Sequence, residues 1–238
     1  MHVRLGELTW PDLADAASGP TLVAVPLGSC EQHGPHLPLD TDTRVAVALA
    51  EALASHLPRD LVRVVVAPPV AIAASGEHAG FPGTLSIGTE VTELVLVELV
   101  RSADWADGVV LVNGHGGNAS AVARAAERSR RDGRRVLPWW PRIPDGDAHA
   151  GRTETSLLLH LAPELVRRSL AEPGRVEPVR DLIDDLRAHG TRHVSPNGVL
   201  GDPTGASAEA GAELFDALVA DLCTATRDWW TAESGRDR

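Results

Sequence analysis

The sequence predicts an α/β fold in which a mostly parallel sheet is covered by helices on both faces. Two patterns carry this expectation. Four short runs rich in Val and Leu, Thr21 to Leu27, Val62 to Pro68, Gly108 to Asn113 and Arg134 to Leu137, read as strands buried on both faces, because such strands are continuously apolar instead of alternating. Between them lie amphipathic stretches of helix length, and strand alternating with helix produces a parallel sheet. The length of 238 residues suits one domain, 1–238, large enough to bury a sizeable core.

Taken in order, the first strand ends in a polar loop, and a helix is expected from Thr43 to His56. A second helix is expected over Glu90 to Ala103, and a third over Ala119 to Asp132, with Gly133 supplying the left-handed cap. The segment from Leu170 to Gly205 has its periodicity broken by Pro173, Pro178, Pro196 and Pro203 and reads as a lid or an interface arm. Ala206 to Thr231 then reads as a long terminal helix, with Ser207 as its cap and Leu214, Leu218 and Leu222 recurring every four residues.

The formal charge of −11 argues against a nucleic-acid partner, which requires concentrated Lys and Arg. The local basic run Arg128, Arg130, Arg131, Arg134 and Arg135 falls at a helix end, where positive charge complements the macrodipole. Two cysteines, Cys30 and Cys223, make no disulfide scaffold, and no charged-then-apolar leader is visible, so a cytoplasmic location is expected. No apolar run approaches the ~20 residues of a membrane span.

Three polar clusters carry the chemistry. Glu31, His33 and Asp42 follow the first strand, His115 follows the third, and His149 with Glu154 opens a helix. In parallel sheets ligands collect outside the carboxyl ends of strands, so residues more than eighty positions apart can meet there. Carboxylates and imidazoles bind zinc, iron or manganese, and such ions activate water. Each residue has a second reading. Asp42 could bridge two cations or cap the helix at Thr43, and His36 reads better as a packed, hydrogen-bonded histidine. Glu154 could serve a capping box or form a ligand and acid/base pair with His149. Glu77 and His78 could line a substrate pocket or an exposed loop.

The strings Glu31-Gln32-His33-Gly34-Pro35-His36-Leu37-Pro38, Asn113-Gly114-His115 and His149-Ala150-Gly151 to Glu154-Thr155-Ser156 resemble, in this order, those of the creatininase or creatinine amidohydrolase family. The resemblance implies a single three-layer α/β/α domain in a homo-oligomer. It also implies metal ligands at Glu31, His33, Asp42 and His115, with Asp42 bridging two divalent ions. Creatininases carry an acidic ligand where Gly117 stands, so Glu154 is the expected replacement, leaving His149 to handle protons. They also carry a tryptophan where Asp145 stands, which argues against creatinine as substrate. Further strings, among them Ser75-Gly76-Glu77-His78 and Gly198-Val199-Leu200-Gly201-Asp202-Pro203, resemble the branch of the family that cuts a modified precursor peptide. That branch implies release of a C-terminal Val-Tyr unit. The rival readings are a small-molecule amidohydrolase acting on a cyclic amide or formamide, and a non-catalytic metal-binding scaffold.

Overall fold

Strand side chains point alternately to opposite faces, and here both faces are covered. In the computed structural model, which describes residues 3–14, 19–144 and 146–234, strands β1 (Thr21–Leu27), β2 (Arg63–Val66), β3 (Gly108–Asn113) and β4 (Val136–Trp139) form one parallel sheet in the order β2-β1-β3-β4. The helices are α1 (Trp10–Ala14), α2 (Thr41–His56), α3 (Gly88–Ser102), α4 (Ala119–Arg131), α5 (Arg152–Leu161), α6 (Val179–His189), α7 (Thr191–Val194) and α8 (Ala208–Ser234). Leu22 and Ala24 of β1 pack with Leu49 and Leu53 of α2, Leu158 of α5 and Leu222 of α8. Val23, Val25 and Leu27 face the other way, toward Leu96 and Val100 of α3 and Val122 and Ala126 of α4. The result is a three-layer α/β/α arrangement, as expected.

The element boundaries differ from expectation where local hydrogen bonds intervene. Helix α2 starts at Thr41, two residues before the expected Thr43. Strand β4 starts at Val136 instead of Arg134, because Gly133 turns at φ 77° and the Arg134 amide donates back to Ser129 O at 2.9 Å. Ser207 does cap α8, its Oγ accepting the Ala210 amide at 3.1 Å. Two members of the basic run at the end of α4 are engaged within the fold. Arg130 donates twice to Val136 O, and the Arg135 guanidinium lies 4.3 Å from the Trp230 ring centroid.

The proline-broken segment resolves into short helices that close one side of the sheet's carboxyl edge. Leu182 and Leu186 of α6, Val194 of α7 and Leu200 form a separate apolar cluster. Leu200 and His149 exchange backbone hydrogen bonds at 2.8 and 3.2 Å, fastening this segment to the entry of α5. Cys30 and Cys223 are free. Among the described residues, no helix is long and apolar enough to cross a membrane.

Candidate metal centre

The chain moves from β1 to β2 on one side and returns to place β3 on the other, which opens a crevice at the carboxyl ends of β1 and β3. Leu27 and Asn113, the last residues of these strands, are in register. Asparagine side chains tie the emerging loops together. Asn118 donates to Gly28 O at 2.9 Å and accepts the Ala74 amide at 3.0 Å, while Asn113 donates to His115 O at 2.8 Å. A Cβ on Gly114 would lie 2.6 Å from Asp42 O, so glycine there lets the start of α2 come close.

The loops and α2 bring together the residues singled out in the sequence. Asp42 accepts a hydrogen bond from Ser29 Oγ at 2.8 Å, and its two oxygens lie 3.1 Å from His33 Nε2 and 3.0 Å from His115 Nδ1. Glu31 Oε2 is 3.2 Å from His115 Nε2, and Oε1 is 3.4 Å from His78 Nε2 and 3.8 Å from His149 Nδ1. Glu154 Oε2 lies 3.9 Å from His33 Nε2. Two ligand-capable groups therefore share Asp42, one with Glu31 and His115 and the other with His33 and Glu154. A third group joins Glu31, His33 and His149.

These side chains fit cations. Both Glu31 oxygens are buried without a hydrogen-bond donor, a costly state for a carboxylate that a bound ion relieves. Burial pushes the Glu31 carboxyl up to about 8, against His115 and His33, and pushes Glu154 up to about 7. Burial pulls His33 and His115 down, yet their acidic neighbours, chiefly Asp42 for His33 and Glu31 for His115, overcome it and carry both to about 10. Burial alone would raise Asp42, but His33 and His115 hold it well below the usual carboxylate range. At His33 and His115 the acidic neighbours thus outweigh burial. His78 and His149, on the other side of Glu31, are instead held neutral by burial, His78 at about 3 and His149 well below its usual value.

Several alternatives left open by the sequence are decided by these contacts. Asp42 does not cap α2: Asp40 occupies the N-cap position, and the Asp42 carboxylate points into the cluster. His36 is fully buried and hydrogen-bonded to Thr155 Oγ1 at 2.9 Å. Glu154 accepts the Ala150 amide, one residue ahead of the N-cap Gly151, at 2.6 Å, while the same oxygen faces His33. Ala150 itself stands at φ 51°, a left-handed conformation uncommon outside glycine, in the turn that aims His149 and Glu154 inward. At Gly117 a Cβ would fall 2.3 Å from Glu77 Oε1 and 2.4 Å from His115 Nε2, so this backbone leaves no room for a side chain. Asp145 lies outside the described residues.

Sequence reasoning missed three supports. Ser29 holds Asp42. Asp147 caps α5 through the Arg152 and Thr153 amides, a role signalled by an acidic residue just ahead of a helix. Gln32 contacts both His78 and His149, and nothing local marks it. The cluster opens on a cleft of about 600 Å³ lined by Glu77, His78, His149 and Glu154 on one side and by Val179, Ile183, Leu186 and Arg187 of α6 on the other. Glu77 and His78 thus both reach the cleft, although His78 is buried and turned toward Glu31.

The family profile described as Creatininase: Creatinine amidohydrolase matches residues 6–226. The chain belongs to the creatininase family. It is an enzyme of that hydrolase class. A mycofactocin precursor peptide peptidase from Mycolicibacterium smegmatis is 48% identical over 217 residues, covering 90% of this chain and 87% of that protein. Among solved structures, one described as Creatininase Mn superposes with a TM-score of 0.78 at 25% identity, covering 97% of this chain and 99% of that one. A mutant creatininase of Zn-Zn type superposes with a TM-score of 0.79 at 25% identity over the same shares.

Proposed function

We propose that this chain is a divalent-metal-dependent peptidase that releases the modified C-terminal Val-Tyr unit of the mycofactocin precursor peptide. The observation that carries the metal chemistry is the pair of buried ligand groups sharing Asp42. Glu31, Asp42 and His115 would hold one ion, and His33, Asp42 and Glu154 the other, with zinc, iron and manganese all compatible with such ligands. Bound divalent ions supply Lewis acidity, which activates water near neutral pH and polarises an amide carbonyl. The substrate reading is supported by the 48% identical relative and by the cleft, whose 600 Å³ falls in the range of sites that enclose a sizeable ligand.

The chain's own residues then divide the work. His149, neutral and facing Glu31, takes and returns the proton that the leaving amine requires. Glu154 combines the hydrogen bond from the Ala150 amide with a carboxylate turned to the cluster, so the helix end orients the ligand. The apolar side of α6, with Val179 and Ile183 in the cleft wall, receives the apolar part of the substrate and keeps water from it. Glu77 contacts the peptide from the opposite wall. Exposed Val91, Leu94 and Leu99 on α3 support a homo-oligomer. A second reading is favoured by the group Glu31, His33 and His149, which would make His149 a ligand.

The test is incubation of the metal-loaded protein with modified precursor peptide, unmodified peptide and creatinine at equal concentrations, followed by mass measurement. Loss of the terminal unit from the modified peptide is expected, with little turnover of creatinine. Efficient creatinine hydrolysis with an intact modified peptide would overturn the peptidase assignment and favour the small-molecule amidohydrolase.

A further inference from the structure

Gln32 sits between Glu31 and His33, is almost fully buried, and has a side chain surrounded by groups of defined polarity. Its Oε1 accepts the Gly34 amide at 2.9 Å, and its Nε2 donates to Gly198 O at 3.0 Å. Both partners belong to the backbone and cannot change roles, so the amide has one permitted orientation. The second hydrogen of Nε2 faces His78 Nδ1 at 2.8 Å and His149 Nε2 at 3.0 Å. The Gln32 backbone carbonyl lies 2.8 Å from the same His149 Nε2.

Counting donors against acceptors selects one arrangement. If His149 carries its hydrogen on Nε2 and donates it to Gln32 O, the two amide hydrogens go to Gly198 O and His78 Nδ1, and three donors meet three acceptors. If His149 Nε2 instead accepts from Gln32, then either Gly198 O or His78 Nδ1 loses its donor and two lone pairs face each other across 2.8 Å, which buried groups avoid. We propose that Gln32 is a positioning residue that sets the tautomers of both histidines, leaving His78 Nε2–H to donate toward Glu31 and the His149 Nδ1 lone pair open toward the cluster. The first effect aims a donor at Glu31 Oε1, a buried oxygen without a hydrogen-bond partner. The second leaves His149 able to accept a proton on the side where Glu31 lies at 3.8 Å. Gly198 belongs to the device, because at φ 82° a Cβ there would fall 1.8 Å from Gln32 Oε1. The proline-rich segment thereby contacts the cluster through one amide.

The inference concerns the His149 role in the proposed peptidase, but its main readout needs no substrate. With 15N-labelled histidine, long-range 1H–15N spectra of the zinc-loaded and metal-free protein, assigned by the signals missing from H78Q and H149Q, report which nitrogen bears each hydrogen. Both histidines should be protonated on Nε2. Gln32→Glu offers no donor, so His78 should move its hydrogen to Nδ1, while zinc content stays within twofold of wild type. Turnover of the modified peptide should fall about 10–100-fold through kcat, with KM changed less than about threefold. Gln32→Met, which keeps length and removes both hydrogen-bonding functions, should show the same kinetic split if Gln32→Glu fails to fold. A wild-type His78 protonated on Nδ1, or a Gln32→Glu protein with an unchanged His78 signal, overturns the inference. A peptide that is never cut, with the tautomers as stated, removes the peptidase reading and leaves this one standing.

Discussion

Restoring the acid that creatininases carry after the third strand should harm this enzyme. In Gly117→Glu the new Cβ would start 2.3 Å from Glu77 Oε1, 2.4 Å from His115 Nε2 and 2.5 Å from Ala74 O, whereas carbon makes unstrained contacts near 3.5–4.0 Å. Each neighbour would have to retreat by about 1 Å or more. Glu77 can swing away because its carboxylate is partly exposed. Ala74 O cannot, since it is backbone and lies 2.8 Å from His115 Nε2. Overpacking of this kind costs about 1–3 kcal/mol, which for a chain of this size lowers Tm by about 2–12 °C. The displaced His115 would also lose its alignment with Glu31 and Asp42, so metal content should fall. Melting curves and metal content after gel filtration, measured for wild type, Gly117→Glu, Glu154→Gln and the double variant, decide the matter. If the double variant recovers the metal and turnover lost in Glu154→Gln, a side chain at 117 can replace Glu154 and the steric reasoning is refuted.

Three other outcomes are expected. Asp42→Ala should lose most of both ions and at least about 100-fold in activity, because one carboxylate meets His33, His115 and Ser29; an active variant with full metal content would remove Asp42 from the shared position. Glu154→Gln should lower metal occupancy while His149→Ala keeps the metal and loses turnover, and elemental analysis beside peptide assays separates the two, with the opposite pattern exchanging their roles. Chelation should lower Tm, and adding back zinc or manganese should raise stability by about 1.4 kcal/mol per bound ion for each tenfold increase in free ion above Kd; a melting curve indifferent to the ions would sink the metal assignment.

What could be read from the residues alone was whatever depends on short-range pattern. Thr21–Leu27 and Gly108–Asn113 are continuously apolar because both of their faces are buried, and their limits in the structure are those expected. Glu31, His33, Asp42 and His115 stood out because strand ends in a parallel sheet collect ligands, and neighbours in a loop can be judged together. Boundaries set by hydrogen bonds across a turn, such as the late start of β4, were less legible. Asp42 could be cap or ligand until the start of α2 was known to lie at Thr41. Gly117 looked like a missing acid, and only packing reveals that Ala74 O and Glu77 occupy the space a side chain would need. Gln32 was invisible as more than a neighbour of the ligands, because its amide meets His78, His149 and Gly198 at separations of 46, 117 and 166 residues. Periodicity and motif order survive in a one-dimensional string because they arise from backbone geometry repeated over a few residues. Hydrogen-bond direction and steric exclusion arise between atoms that the chain brings together only after the sheet has formed.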